Sequence, residues 1–375
     1  MSAAGFWPTL NCRGFDVQLT QIQNQIREAA TRGAQLEIRG HGSKAFYGQT
    51  PLGEPLELSG FSGISSYEPS ELVVTVKAGT PIVDLEAALA EQGQHLAFEP
   101  PRFGGRGTVG GMVASGLSGP ARASAGSLRD HLLGLTLLNG QAELLSFGGT
   151  VIKNVAGYDV ARLMAGAMGV LGPILEVSLK VLPLPVAQAT LRFELSQAHA
   201  LNQLNRWGGM PLPIQASACW DGALVLRLAG AEAAVRSAIQ TLGGEEIPDV
   251  LALPFWRGLR DHSDEFFVGA ARAVQGGAQL WRLSLPQTAP VLNLHGEQLV
   301  EWGGAQRWVT TALPAAQVRE AAASHGGHAT LFRSHDKSVG AFAPLTGPLL
   351  RIHQRLKASF DPQALFNPGR LYEQL

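Results

Sequence analysis

Between Pro100 and Gly134 the chain reads PPRFGGRGTVGGMVASGLSGPARASAGSLRDHLLG, and no other stretch constrains the fold as much. Nine of its residues are glycine, four are arginine (Arg102, Arg106, Arg122 and Arg129) and only Asp130 is acidic. Each interior glycine costs a helix about 1 kcal/mol relative to alanine, so the stretch is a poor long helix. Glycine does let the backbone approach a ligand closely and take positive φ. Successive free N–H groups in such turns form concave anion sites. Thr108, Ser115, Ser118 and Ser127 add hydroxyls, and the scarcity of acid keeps the local potential positive. Val109, Met112 and Val113 are spaced for one short buried turn beside Gly110 and Gly111. A glycine-rich loop this long is uncommon in a compact domain unless it has a function. The ligand it fits is a large cofactor carrying a pyrophosphate.

With 375 residues the chain is long enough for two or three domains with real cores. Hydrophobic residues make up 45% and charged residues 16%, a globular rather than disordered balance. A net charge of −1 gives no reason to expect nucleic acid as a partner. The two cysteines, Cys12 and Cys219, form no C-x-x-C pair, so this chain cannot by itself hold a four-cysteine Fe–S cluster. A reduced, cytoplasmic protein is the simplest expectation. The opening MSAAGFWPTLNCRGFD lacks the basic-then-apolar pattern of a signal peptide. No apolar run approaches the ~18 residues that a spanning helix needs.

Taken in order, helical spacing predicts a helix over Asp16–Arg32 and a strand at Leu36–Ile38. The loop RGHGSKAFYG follows, Arg39 to Gly48. Gly40, Gly42 and Ala45 match the dinucleotide fingerprint, which needs a helix to begin inside it. Gly48, Pro51 and Gly53 follow at once, so a Rossmann domain is rejected and the loop reads as a second backbone anion nest flanked by Arg39 and Lys44. Strands are expected at Leu56–Leu58, Leu72–Lys77 and Leu96–Phe98. A helix from Thr80-Pro81 to about Gln92 should carry Thr80 as N-cap. Asn139-Gly140 predicts a hairpin between Leu135–Leu138 and Glu143–Ser146. A helix around Val160–Met168 and a strand over Ile174–Leu182 precede the linker at Pro183 and Pro185. Beyond it, strands at Thr190–Leu195, Leu224–Leu228, Gln279–Leu285, Gln306–Thr311 and His328–Phe332 alternate with helices at Ala198–Trp207, Ala231–Leu242 and Ala315–Ser324, an α+β layer. A last helix begins near Thr346, and no sequence repeat is visible.

Four ordered motifs then carry a resemblance. RGHGSK (Arg39–Lys44), TVGGMVASGLSGP (Thr108–Pro120), GSLRDHLLGL (Gly126–Leu135) and KNVAGYD…GVLGPILEVSLKV from Lys153 resemble the FAD-binding domain of the p-cresol-methylhydroxylase (PCMH) and vanillyl-alcohol-oxidase flavoproteins. The closing FDPQALFNPGR, Phe360–Arg370, resembles the tail that returns to the flavin in that family. Within it the chain is similar to the smaller flavin-binding subunits of bacterial glycolate oxidases, through IRGHGSKAF, WRLSLP, EWGGAQRW and HATLFR.

The resemblance implies an α+β fold: a PCMH-type FAD-binding domain of two α+β subdomains over 1–188, an α+β cap over 189–345, and a helix and tail over 346–375. It implies non-covalent FAD, held by Arg39, Gly40, His41, Gly42, Ser43, Lys44, Pro100, Thr108, Gly110, Gly111, Ser115, Gly116, Ser118, Gly119, Gly126, Ser127 and Asp130. The pyrophosphate would lie between Arg39–Lys44 and Thr108–Gly119, met mainly by backbone N–H groups. Ile174 would lie at the isoalloxazine end, and Asn367 would approach from the tail. It implies two partners, a larger FAD-binding glycolate oxidase subunit and an Fe–S subunit. Any contact with a membrane would be peripheral, through the complex.

Relatives that oxidise 2-hydroxy acids directly carry H-G-H-x-G-D-G-N in the cap, which supplies metal ligands and a base. This chain has only LNLHGEQL around His295 and no GDGN. His325, His328 and His335 lack a defensible ligand spacing, so no metal and no catalytic residue is assigned. Arg282 and Arg333 are candidates for a carboxylate. The expectation is a flavoprotein subunit that relays electrons or completes a complex. The alternatives are an autonomous FAD oxidase or dehydrogenase of another 2-hydroxy acid or alcohol, and a structural subunit that keeps the flavin fold without its redox use.

Overall fold

A computed structural model describes residues 12–149 and 159–375, with side chains from residue 17 onward. The N-terminal residues 1–11 and the motif residues 153–158 lie outside the described residues. Among the described residues no helix is long and apolar enough to cross a membrane.

The chain starts with α1 (Cys12–Arg32), whose Ile22, Ile26 and Ala29 pack on Leu36, Leu56 and Phe366. Strand β1 (Leu36–Arg39) runs parallel to β2 (Glu54–Glu57), with Leu36 opposite Glu54. The loop between these neighbours closes one side of the groove described below. Next come β3 (Ile64–Glu68), β4 (Val73–Lys77), α2 (Ile82–Ala90), β5 (Gln94–His95), α3 (Val109–Ser115), α4 (Arg122–Ala125) and α5 (Leu128–His131). They lead into β6 (Leu132–Leu138), β7 (Leu144–Gly148), α6 (Val160–Leu163), β8 (Ile174–Lys180) and β9 (Leu182–Pro183). Strands β3-β4-β8-β6-β7 form an antiparallel sheet in that order, and its apolar face packs on α2 and α3 through Val76, Leu85, Leu89, Met112 and Val177.

The local expectations fail where side chains find other work. Helix α2 starts after Pro81, because the Thr80 hydroxyl bonds Gly63 instead, accepting from its N–H at 2.9 Å and donating to its carbonyl at 3.2 Å. Leu96–Phe98 is not a strand; Leu96 and Phe98 are buried in the core after the two-residue β5. Helix α6 stops at Leu163 rather than reaching Met168. Strand β3 was hidden by its serines, although Ser65 is bonded to Glu176 across the sheet.

The cap begins with β10 (Ala187–Glu194), α7 (Gln197–Gly208), β11 (Ile214–Trp220), β12 (Ala223–Gly230), α8 (Glu232–Leu242) and β13 (Glu245–Ile247). After α9 (Asp249–Asp261) and α10 (Glu265–Gln275) come β14 (Gln279–Ser284), β15 (Glu297–Glu301), β16 (Gln306–Thr311), α11 (Ala315–Ala323) and β17 (His328–Arg333). The sheet order is β13-β10-β12-β11-β15-β16-β14-β17. It is two βαββαβ-like halves joined where β11 meets β15. In the second half a loop replaces the first helix, and the buried Arg307 guanidinium holds it by donating to the carbonyls of Ala289 and Pro290. Neither α9 nor α10 was expected: Pro254 and Gly258 interrupt α9, whereas α10 is capped by Asp264 and carries Phe266, Phe267, Ala270 and Val274 as its buried face. They cover the sheet face that looks at the FAD-binding domain, through Trp256, Phe266 and Phe267.

Helix α12 (Gly347–Phe360) brings the chain back. Its buried Lys357 donates to Asp361 at 2.8 Å and to the carbonyls of Val170 and Phe366, each at 2.7 Å. The Leu36 N–H then donates to Leu365 O at 2.7 Å, and the Asn367 N–H to Leu36 O at 2.9 Å. The tail therefore extends the small β1-β2 sheet beside β1. Cap and FAD-binding domain are fastened by Glu99–Arg227 at 2.7 Å, by Arg260 on Glu86 at 3.8 Å, by the Arg102 N–H on Asp261 at 2.9 Å, and by the Trp302 indole N–H on Gly119 O at 3.0 Å.

A candidate cofactor groove

The groove lies between the β1–β2 loop, α3, the Met168–Ile174 segment and the tail. Its wall includes Arg39–Ala45, Thr108, Gly110, Gly111, Ala114, Ser115, Met168, Gly169, Ile174, Asn367 and Arg370.

The loop Gly40–Lys44 is built as a cradle. The N–H groups of His41, Gly42, Ser43 and Lys44 have no acceptor among the described residues. Gly42 has φ +69° and open space where a Cβ would project. Gly40 abuts Thr108, and a Cβ on it would lie 2.5 Å from Thr108 Oγ1. The Lys44 ammonium is buried without a hydrogen-bond partner, 5.7 Å from the Phe103 ring centre. Burial pushes it down to about 8. The ammonium lies beside Gly107, 3.2 Å from where a Cβ on that glycine would project. Four free donors in the lining of one groove fit a diphosphate, which supplies the missing acceptors.

The second expected nest is not one. The Val109 N–H donates to Thr80 O at 2.9 Å, the Gly110 N–H to Ala78 O at 2.7 Å, and the Gly111 N–H to Thr108 Oγ1 at 3.3 Å. Thr108 is the N-cap of α3, and the glycine pair forms a smooth helical wall. Gly110 is glycine because Ala78 Cβ lies 2.8 Å from where its own Cβ would be. Arg39 is taken by Glu57 at 2.6 Å. His41 places Nδ1 3.2 Å from Arg106 O.

Asn367 reaches the groove as a clamp. Its Oδ1 accepts the Ile38 N–H and its Nδ2 donates to Met168 O, both at 2.7 Å. Ile174 belongs to the core of the five-stranded sheet, whereas Met168 and Tyr47 join the cluster shared with the cap. Arg370, the last residue of the tail motif, joins the site without a sequence signal of its own. It lines the groove and donates to the carbonyls of Lys44 and Ala45 at 3.2 and 3.1 Å.

Seven expected residues do not line this groove. Pro100 is buried beside Glu99 at the domain junction. Gly116 packs on Gly166, and Ser118 Oγ accepts the Leu128 N–H at 3.2 Å. A Cβ on Gly119 would lie 2.4 Å from Glu99 O, so this glycine serves a close backbone approach within the FAD-binding domain, with Arg260 Cγ of the cap 3.2 Å away. Gly126, Ser127 and Asp130 form the capped start of α5 and line a separate cleft with Arg122 and Trp302. Among the described residues no group of three or more His, Cys, Asp or Glu could hold a metal ion.

Fold and groove define a flavoprotein, and residues 18–161 match the FAD binding domain family. FAD is the cofactor. Over 354 residues the chain is 46% identical to the glycolate oxidase subunit GlcE of Escherichia coli (strain K12), covering 94% of this chain and 97% of that protein. The chain belongs to the family of that FAD-binding, PCMH-type oxidoreductase subunit. It is also 30% identical over 157 residues to the glycolate oxidase subunit GlcD of Bacillus subtilis (strain 168), covering 41% of this chain and 33% of that one. A D-lactate dehydrogenase of Anaerostipes hadrus is 32% identical over 139 residues, 37% of this chain and 29% of that one. Among solved structures, alkyldihydroxyacetonephosphate synthase superposes with TM-score 0.65 at 14% identity, over 93% of this chain and 74% of that one, a likeness of fold alone.

Proposed function

We propose that this chain is the smaller FAD-binding subunit of a glycolate-oxidising complex that yields glyoxylate and passes electrons through flavin to an Fe–S subunit. The observation that carries this reading is the near full-length match to the glycolate oxidase subunit GlcE. Bound FAD would supply the two-electron acceptor. The chain's own residues would bind and orient it: the 41–44 N–H groups and Lys44 at the diphosphate, α3 as the wall, and Asn367 and Arg370 as the closing side. Binding is non-covalent in this proposal, because His41, the one histidine of the cradle, is turned to the Arg106 carbonyl. The larger subunit would provide proton abstraction, since the sequence lacks the H-G-H-x-G-D-G-N segment.

A missing general base typically costs about 10²- to 10⁴-fold in rate. The FAD-loaded chain alone should therefore bleach slowly, if at all, when mixed with excess glycolate in a stopped-flow spectrometer. With the larger flavin subunit and an Fe–S subunit added, turnover should appear. Fast bleaching by the lone chain would favour the autonomous dehydrogenase. Acid precipitation should release all the flavin, as FAD rather than FMN.

A further inference from the structure

After β17 the cap sends out a loop, residues 334–342, that crosses onto the FAD-binding domain. Its far end is held by the cap. The Leu331 N–H donates to Ala341 O at 2.7 Å, and Arg319 of α11 donates to the carbonyls of Val339, Gly340 and Phe342 at 2.8, 2.6 and 3.3 Å. Its middle grips the turn that follows the cradle. The Lys337 ammonium donates to Phe46 O at 2.6 Å and to Gly48 O at 2.7 Å, and the Gln49 side-chain amide donates to Lys337 O at 3.3 Å. Gly48 has φ +77°, and a Cβ on it would lie 3.0 Å from Arg370 O, 3.2 Å from Met168 Cε and 3.5 Å from Phe342 Cε2. The turn is therefore clasped between cap and tail.

A trans peptide unit is planar, so fixing the C=O of one residue fixes the N–H of the next, pointing the opposite way. Through Phe46 O, Lys337 fixes the Tyr47 N–H, which donates to Lys44 O at 3.0 Å. Through Gly48 O it fixes the Gln49 N–H, which donates to Arg370 O at 3.1 Å. Arg370 in turn donates to the carbonyls of Lys44, Ala45 and Gln49. One ammonium of the cap thus sets both the end of the cradle and the tail residue that lines it. We propose that Lys337 is a positioning residue for the cofactor cradle, and that the seating of the cap on the FAD-binding domain thereby sets how tightly FAD is held. The proposal rests on the reading that the diphosphate lies at residues 41–44.

The test is titration of the flavin-free full chain with FAD, read by flavin fluorescence, at a temperature where circular dichroism shows every variant folded. Lys337→Met should weaken FAD binding by about tenfold or more at about pH 7, the weight of charge-assisted hydrogen bonds. Arg319→Met, which frees the cap side of the loop, should weaken it less. The double variant should bind no more weakly than Lys337→Met alone, since Arg319 acts through Lys337. Burial, then the charges of Arg370 and Arg333, push Lys337 down to about 8, and Asp336 beside it is turned to Ser338. The gap between wild type and Lys337→Met should therefore narrow as pH rises through about 8. Lys44 is present in both and drops out of that comparison. A role confined to stability would lower the melting temperature of Lys337→Met and leave its FAD affinity alone. Unchanged FAD affinity in Lys337→Met, a gap independent of pH, or losses that add in the double variant overturns the proposal. Gly111→Val tests the reading beneath it. If the wild-type chain binds no FAD, or Gly111→Val binds it fully, the groove is misread and this proposal falls with it. Loss in Gly111→Val with none in Lys337→Met sinks the Lys337 proposal alone.

Discussion

Lys44 is the residue at which composition and geometry pull hardest against each other. Its ammonium is buried, unpaired and pushed down to about 8. Its folded value lies below that of free lysine, so the flavin-free chain should gain stability as pH rises above about 8. If Lys44 serves the diphosphate as proposed, FAD affinity should fall over the same range, as its positive charge is lost. Lys44→Met removes an uncompensated buried charge, so it should keep or raise the Tm of the flavin-free protein while weakening FAD binding by about tenfold or more. A variant that melts lower yet binds FAD normally would place Lys44 in the core rather than the site. Glu301 shows the opposite sign. Burial pushes its carboxyl up to about 7, against hydrogen bonds from Trp308 at 2.6 Å and Gln306 at 3.0 Å. The fold favours the protonated form, so this contribution is complete below the unfolded value near 4.5 and is lost as pH rises through about 7. Glu301→Gln should remove that part of the slope, its Tm gaining on wild type between about pH 5 and 8.

Among the elements, α3 and α12 decide the groove. The glycine pair of α3 separates two roles that the sequence merges. A side chain on Gly110 meets Ala78, whereas one on Gly111 meets only Thr108 Oγ1, at 3.2 Å. Gly110→Val should therefore cost about 1–3 kcal/mol of stability through overpacking and lose FAD as a consequence. Gly111→Val should melt close to wild type and still lose FAD, because its side chain stands on the groove wall. Equal melting temperatures for the two variants would contradict this. In α12, Lys357 neutralises Asp361 and holds two carbonyls at the turn into the tail. Lys357→Met leaves Asp361 buried and unpaired, at about 3–5 kcal/mol. Hydrogen exchange at the Ile38 amide, which depends on Asn367, should accelerate more than exchange in β12.

For the whole molecule the question is how the cap is held. Glu99 links Arg227 on β12 to the Ala121 N–H at 2.8 Å, and Arg227 is 7% exposed. Arg227→Met should cost up to about 3 kcal/mol and split thermal unfolding into two transitions, the cap separating from the FAD-binding domain. A single transition at the wild-type temperature would show that the apolar contacts alone fasten the two.

The sequence by itself determined the class of fold, the cradle at Gly40–Lys44 and the return of the tail, because each depends on short-range chemistry. Glycine favours positive φ, as at Gly42, and Pro362 stops the last helix just after Phe360. It could not show that the amides of Val109 and Gly110 are spent on Thr80 and Ala78, since those partners lie some thirty residues away in the chain. Nor could it separate the glycine of a ligand site from Gly119, where the Glu99 carbonyl leaves no room for a Cβ. Helix α9 escaped because tertiary packing of Trp256 overrides Pro254 and Gly258, whereas the signal for α10, its Asp264 cap and its face of Phe266, Phe267, Ala270 and Val274, lay in the sequence itself. The sequence singled out Arg282 and Arg333, but not the Tyr47, Phe332 and Phe46 rings they lie over. Whether an arginine meets a glutamate or an empty aromatic floor is decided only when distant strands and loops come within a few ångströms, where burial makes each missing partner costly.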